Sequence, residues 1–261
     1  MGRIFRWLSA RLARYLSKQI TENSIPTSTY RQLELALQPA DVLLVEGDTR
    51  ISVAIKYLTQ STWSHSALYL GVDAGLGLSE SGEPNVLIEA DLQEGIRALP
   101  LSYYRHSHTR ICRPVGLNPE DIERLTAFAL SRLGNTYDLK NVFDLARYLL
   151  PTPPVPTQYR QRLLAFGSGD PTRAICSTFL AETFQHLRYP ILPLIRMVPA
   201  DDPDCADCTR VAYRIRHHSL FTPRDFDASP FFQIVKPSLA PGFDYRQLAW
   251  EDRPKQQGPA P

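Results

Sequence analysis

The sequence predicts an α+β domain in which an antiparallel sheet packs against a helix carrying a cysteine, and three observations lead there. Between residues 40 and 114 short apolar segments recur at near-regular spacing, the pattern of strands joined by hairpins. Past Gly116 the apolar period lengthens to that of a helix. Further on, Arg173-Ala-Ile-Cys176-Ser-Thr-Phe-Leu-Ala-Glu-Thr-Phe184 places Phe179, Leu180, Phe184 and Leu187 at helical spacing, with Cys176 in the first turn.

Taken in order, the spacing of residues 1–20 predicts a basic amphipathic helix. Ile4, Phe5, Leu8, Leu12, Tyr15 and Leu16 share one face, and Arg3, Arg6, Arg11, Arg14 and Lys18 the other. Such a helix binds a membrane surface or packs on the body of its own protein, because the same moment serves both. No lipid anchor is implied at Met1-Gly2. Thr21 to Gln38 is polar and ends in a short helical patch. The expected main domain runs over residues 38–240.

Ala40-Asp41-Val-Leu-Leu-Val45-Glu-Gly47 is a compact apolar run closed by glycine, which predicts a buried strand. Ile51 to Tyr57 predicts a short helix. Ser64-His65-Ser66-Ala-Leu-Tyr69-Leu-Gly71 predicts a strand with histidine at its head. After the turn-rich loop from Gly75 to Pro84, Val86 to Ala90 and Gly95 to Leu99 predict two strands joined through Asp91 to Glu94, and Thr109 to Pro114 continues the sheet. Asn118-Pro119-Glu-Asp opens a helix with a cap, a proline in its first turn and acids beside them, and Gly134 closes it. Leu139 to Leu150 predicts another helix, followed by the extended loop from Pro151 to Pro156. After Pro190 the chain reads as Pro-rich and irregular up to a last strand over Phe231–Val235, and residues 251–261 read as a disordered tail.

With 261 residues the chain can bury one sizeable core, so one domain with tails is expected. The net charge of +2 comes from scattered residues rather than a basic stripe, which argues against a nucleic-acid partner. No apolar run is long enough to cross a bilayer. The N-terminus lacks the apolar core and cleavage site of a secretory signal. Four cysteines in such a chain fit a reducing compartment, so the expected location is cytoplasmic, with peripheral attachment to the inner face of the membrane open through residues 1–20.

Cys176 has two readings. At a helix start, unpaired backbone N–H groups and the helix dipole lower a thiol's pKa and create a nucleophile; alternatively it is a small apolar residue packed between helix and core. A nucleophilic thiolate needs a base, and the base an orienting group. Of the six histidines only His65 heads an apolar strand. Glu89 lies inside Val-Leu-Ile-Glu-Ala, where a carboxylate requires a partner, and an imidazole is a suitable one. Each also has an ordinary reading, a half-buried histidine and an edge-strand carboxylate.

The segments Ala40-Asp41-Val-Leu-Leu-Val, Ser64-His65-Ser-Ala-Leu-Tyr69-Leu-Gly71 and Ile88-Glu89-Ala90 resemble the strand pattern around the catalytic histidine of NlpC-family papain-like cysteine hydrolases. Leu133-Gly134-Asn-Thr-Tyr137-Asp resembles that family's Gly-x-x-Tyr turn. Here Cys176-Ser177 follows the histidine pattern instead of preceding it, the order of the circularly permuted YiiX/YebB-like or lipo-like branch, related to lecithin retinol acyltransferase. The resemblance implies a permuted papain-like fold with Cys176 as nucleophile, His65 as general base and Glu89 as the residue orienting it. It also implies that Tyr137, Ser64 and Ser177 line the substrate site. Ile175 stands where many family members carry Asp.

The activity so implied is that of a cysteine hydrolase or acyltransferase, attacking an amide or ester of a small-molecule, peptide or lipid-like acyl substrate without a cofactor. A non-catalytic peptide- or lipid-binding module on the same fold is the alternative, and a membrane-surface scaffold a third. Cys205-x-x-Cys208 is half a zinc knuckle with no second cysteine pair, and a loop pair is the preferred reading over a metal site. Tyr103-Tyr104-Arg105-His106 reads as a cap on the sheet.

Overall fold

The computed structural model describes residues 15, 17–19, 26–135, 175–199, 208–237 and 246. Most of the predicted N-terminal helix, the helix over 139–150, the loop at 151–156, Tyr137 and the tail 251–261 lie outside the described residues. In chain order the elements are α1 (Tyr30–Ala36), β1 (Val42–Val45), α2 (Arg50–Thr59), β2 (His65–Tyr69), β3 (Leu87–Asp91), β4 (Gly95–Leu99), β5 (Thr109–Pro114), α3 (Pro119–Ser131), α4 (Ile175–His186), β6 (Leu194–Pro199), β7 (Thr209–Arg214), α5 (Pro223–Asp227) and β8 (Phe232–Val235). The protein is α+β: six strands form one antiparallel sheet in the order β4-β3-β2-β1-β5-β8. Among the described residues no helix is long and apolar enough to cross a membrane.

The central strands are covered on both faces, which is why β1 reads as unbroken Val-Leu-Leu-Val rather than an alternation. Val42 and Leu44 join Leu68 and Ile88 against Phe179, Leu180 and Phe184 of α4. Leu43 and Val45 join Ala67, Leu87 and Ile111 on the opposite face, over Leu33 of α1, Leu37 just beyond its end, and Leu101 and Tyr104 from the 3-10 turn Leu101–Tyr104. Each fully buried leucine in these layers contributes about 2 kcal/mol through its apolar surface. Helix α4 is buried nearly all round: Cys176, Ser177, Phe179, Leu180, Ala181, Thr183 and Phe184 are all 4% exposed or less. Its polar residues are satisfied locally, Thr183 Oγ1 donating to the Phe179 carbonyl at 2.9 Å and Glu182 accepting from Arg132 at 2.6 Å.

Helix α3 starts as its sequence predicts, with Asn118 accepting from the Asp121 N–H and Asp121 returning the bond to the Asn118 N–H. Beyond its end Gly134, at φ +77, turns the chain so that its N–H reaches the Ile96 carbonyl at 2.8 Å and pins the helix end to β4.

One stretch departs from expectation. The segment after Pro190, read as irregular, contains β6 and β7, which pair as a separate two-stranded ribbon. Its β-branched and aromatic residues, Ile195, Val198, Val211 and Tyr213, are a strand signal, obscured by the prolines at the ends of β6. Proline is tolerated there because both strands are edges. Cys112 and Cys176 are free thiols, whereas Cys208 is disulfide-bonded, at odds with four reduced cysteines; Cys205 lies outside the described residues.

Candidate active site

The site forms where two strands part. β2 and β3 pair only at Leu68↔Ile88 and Tyr69↔Leu87, and the start of β2 diverges from the end of β3. Helix α4 packs against both strands. Cys176, second residue of that helix, is 4% exposed. Ile55 and Ile51 of α2 form an apolar wall on one side of the sulfur.

On the other side the groups are polar and ordered. His65 and Glu89 lie diagonally across the β2–β3 gap, and His65 Nε2 meets Glu89 Oε2 at 2.7 Å. Since the carboxylate occupies Nε2, Nδ1 is the nitrogen left for the sulfur, to which the imidazole couples. The His65 side chain is 23% exposed and Glu89 1%, so the ring is the part of the pair open to an incoming molecule.

Glu89 is held by more than the histidine. The β3–β4 register sets Arg97 directly opposite it, and Arg97 donates to Glu89 Oε1 from Nε at 3.0 Å and from Nη2 at 2.8 Å. The Tyr104 hydroxyl donates to Oε2. The two oxygens thus accept four hydrogen bonds, which nearly exhausts a carboxylate's capacity. Arg97 also reaches Tyr103 Oη at 3.1 Å and Glu94 at 3.0 Å.

The electrostatics follow from this alternation of sulfur, imidazole, carboxylate and guanidinium. Burial alone would raise the pKa of Glu89, but His65, Arg97 and the Tyr104 hydroxyl bring it down to about 2. Burial opposes a charged His65, yet Glu89 and Cys176 raise its pKa well above the ordinary value. Burial likewise opposes a thiolate at Cys176; His65, then Ser177 and Ser66, outweigh it and lower the thiol's pKa. Each neighbour thus favours the charged form of the next: the imidazole favours a thiolate at Cys176, and the carboxylate favours a protonated His65.

The sequence-derived candidates fall into three groups. Cys176, His65 and Glu89 come together. Ser177 is fully buried with Oγ 3.8 Å from the sulfur. Ser64 is buried and accepts from the Gly47 N–H at 2.9 Å, a contact that fixes the entry to β2 and requires glycine there, because a Cβ at Gly47 would collide with Ser52. Tyr137 lies outside the described residues. Two participants were missed. Arg97 was legible in principle, because it and Glu89 stand equally far from Gln93, the midpoint of the hairpin closed by the Asp91–Gly95 pair. Tyr104, expected to cap the sheet, points its hydroxyl at Glu89 from a separate turn, and no local pattern announces that. Among the described residues no cluster of three or more His, Cys, Asp or Glu is disposed to hold a metal ion.

No family model matches this sequence, and no curated protein matches it. Among solved structures, metalloprotein YiiX from Escherichia coli O157:H7, of the DUF1105 group, resembles it with a TM-score of 0.44 and 16% sequence identity, over 77% of this chain and 97% of that one.

Proposed function

We propose that this protein is a cysteine-dependent hydrolase or acyltransferase of the permuted papain-like type, acting on an amide or ester through a covalent acyl-enzyme. The observation that carries the reading is the convergence of Cys176, at the start of a buried helix, with an imidazole held at 2.7 Å by a buried carboxylate. The chain order His65, Glu89, Cys176 supports the permuted assignment.

In this mechanism the Cys176 thiolate adds to the substrate carbonyl carbon, and the oxygen takes up the negative charge. Backbone N–H groups at the start of α4 are the donors that stabilise it. As the tetrahedral intermediate collapses, the C–N or C–O bond breaks and the His65 imidazolium gives its proton to the departing amine or alkoxide. His65, now neutral, takes a proton from water or another acceptor as that molecule attacks the thioester. The acyl group leaves with the acceptor, and thiolate and imidazolium are restored. Glu89 stays ionised throughout and keeps the ring oriented.

The test is to incubate the protein with panels of lipid-ester and peptide-amide donors and to follow the mass of the Cys176 peptide. Acyl addition in the wild type, absent in Cys176→Ala, is the expected result. No adduct with any donor, together with tight binding of one of them, makes the cleft a non-catalytic recognition site.

A further inference from the structure

A general acid beside a fully charged carboxylate faces a conflict. The more strongly Glu89 attracts the His65 proton, the more securely the thiolate is formed, and the less readily that proton passes to a leaving group. The geometry contains an element that moderates this attraction. Arg97 puts two N–H groups on Glu89 Oε1, and Tyr104 puts its hydroxyl on Oε2, the oxygen that His65 uses. Both withdraw charge from the carboxylate. Glu89 is 1% exposed, so water screens this little.

On this basis, and resting on the function proposed above, we propose that Arg97 is a positioning residue that acts through Glu89 to set how readily His65 releases its proton to a leaving group. Arg97 does not touch the sulfur's side of the ring; its effect passes through the carboxylate. The charged and titratable groups around the pair are Cys176 from α4, Arg97 from β4, Asp91 and Glu94 at the β3–β4 turn, and Tyr103 and Tyr104 beyond β4. Asp91 and Glu94 lie 3.9 and 3.0 Å from the guanidinium. Removing Arg97 therefore uncovers further negative charge, which reinforces the change at Glu89.

A purely structural role for Arg97 makes the opposite prediction. If the guanidinium only holds Glu89 in place, its loss frees the carboxylate to turn away, and the imidazolium becomes easier to deprotonate. The sign of the change in His65 separates the two.

The experiment compares full-length wild type with Arg97→Gln and Arg97→Lys. The His65 titration is followed by NMR of histidine-labelled protein, and Cys176 alkylation by iodoacetamide is measured across pH. Arg97→Gln is expected to raise the His65 titration midpoint by about one pH unit. Arg97→Lys is expected to restore most of the wild-type value, because it keeps the charge. With a substrate in hand, Arg97→Gln should slow turnover of amides about tenfold while leaving esters with acidic alcohols nearly unchanged, since only a poor leaving group needs the proton.

A fall or no change in the His65 midpoint in Arg97→Gln overturns the inference. Thermal unfolding identifies a variant that does not fold, and Tyr104→Phe, which removes another donor from Glu89, must then move the midpoint upward as well or the inference fails. A wild type whose Cys176 alkylates no faster than an ordinary thiol overturns the proposed function itself. Normal enhancement of Cys176 with an unmoved His65 in the variants overturns only the role of Arg97.

Discussion

Cys112 and Cys176 are both free and both removed from water, at 0% and 4% exposure, yet the two thiols are driven in opposite directions. Cys112 sits in mid-strand on β5 between Val42 and Ile234. Burial, with Asp227 adding to it, pushes its pKa far up and keeps it neutral. Cys176 suffers the same desolvation, but an imidazolium lies against it and lowers its pKa. Burial therefore does not make a cysteine inert. Burial without compensating partners does, and the largest difference between the core of β5 and the start of α4 is a ring held by a carboxylate, with the Ser177 and Ser66 hydroxyls adding to it.

The sharpest way to break this comparison is to remove the ring. His65→Ala should slow iodoacetamide labelling of Cys176 by about 100-fold at neutral pH, followed by mass spectrometry of the separate cysteine peptides. Labelling of Cys112 should stay as slow as before, because it waits on unfolding. If Cys176 keeps its rate, the helix start and not the histidine is the source of its reactivity. In the wild type, the Cys176 labelling profile should inflect below the ordinary thiol value of 9.0.

Next in size is Glu89→Gln. It removes a buried charge that two cationic side chains face, and should cost on the order of 3 kcal/mol in urea unfolding near neutral pH. The pH dependence has a definite sign. The folded-state pKa of Glu89 is depressed from 4.5 to about 2, so its contribution is present above about 4.5 and is lost as the pH falls toward 2. Wild type and Glu89→Gln should therefore converge in stability at the acidic end, and a constant gap down to that pH would contradict the charged carboxylate.

Tyr104→Phe, which deletes one hydrogen bond to that carboxylate, should cost about 2 kcal/mol and leave Cys176 the faster-labelling thiol. The smallest effect is expected from Cys112→Ala. It trims a buried sulfur from β5 at a cost of about 1 kcal/mol, and Cys176 labelling should be indistinguishable from wild type. A change there would mean that the two thiols communicate through the sheet.

Another pair shows how the sheet treats its buried acids. Asp41 is fully buried, bonded to Arg113 at 2.8 and 2.7 Å and to the Gln38 N–H at 2.8 Å. Burial still raises its pKa. Glu89 has comparable contacts with Arg97 but also faces His65, and its pKa falls. Asp41 and Arg113 clamp the end of α1 to the sheet, Arg113 also holding the Ala36 carbonyl at 2.6 Å, a structural task. The second cation is what distinguishes the carboxylate of the candidate site.

By itself the sequence determined most of the local elements and singled out the central residues. The apolar runs of β1, β2 and β3, the Asn118 cap of α3 and the helical spacing of Phe179, Leu180 and Phe184 are local signals, set by short-range sterics and by which faces must leave water. Cys176, His65 and Glu89 were legible because each is a polar or reactive group where a strand or buried helix would ordinarily place an apolar one. The ribbon of β6 and β7 was hidden by its prolines, and Tyr104 by its position in a separate turn. Tertiary structure decided the rest: the parting of β2 from β3 that admits the sulfur, the cross-strand pairing of Arg97 with Glu89, and the opposite fates of two buried thiols. These depend on distances between residues far apart in the chain, and an ionisable group's charge state is set by what surrounds it in space rather than by its neighbours in sequence.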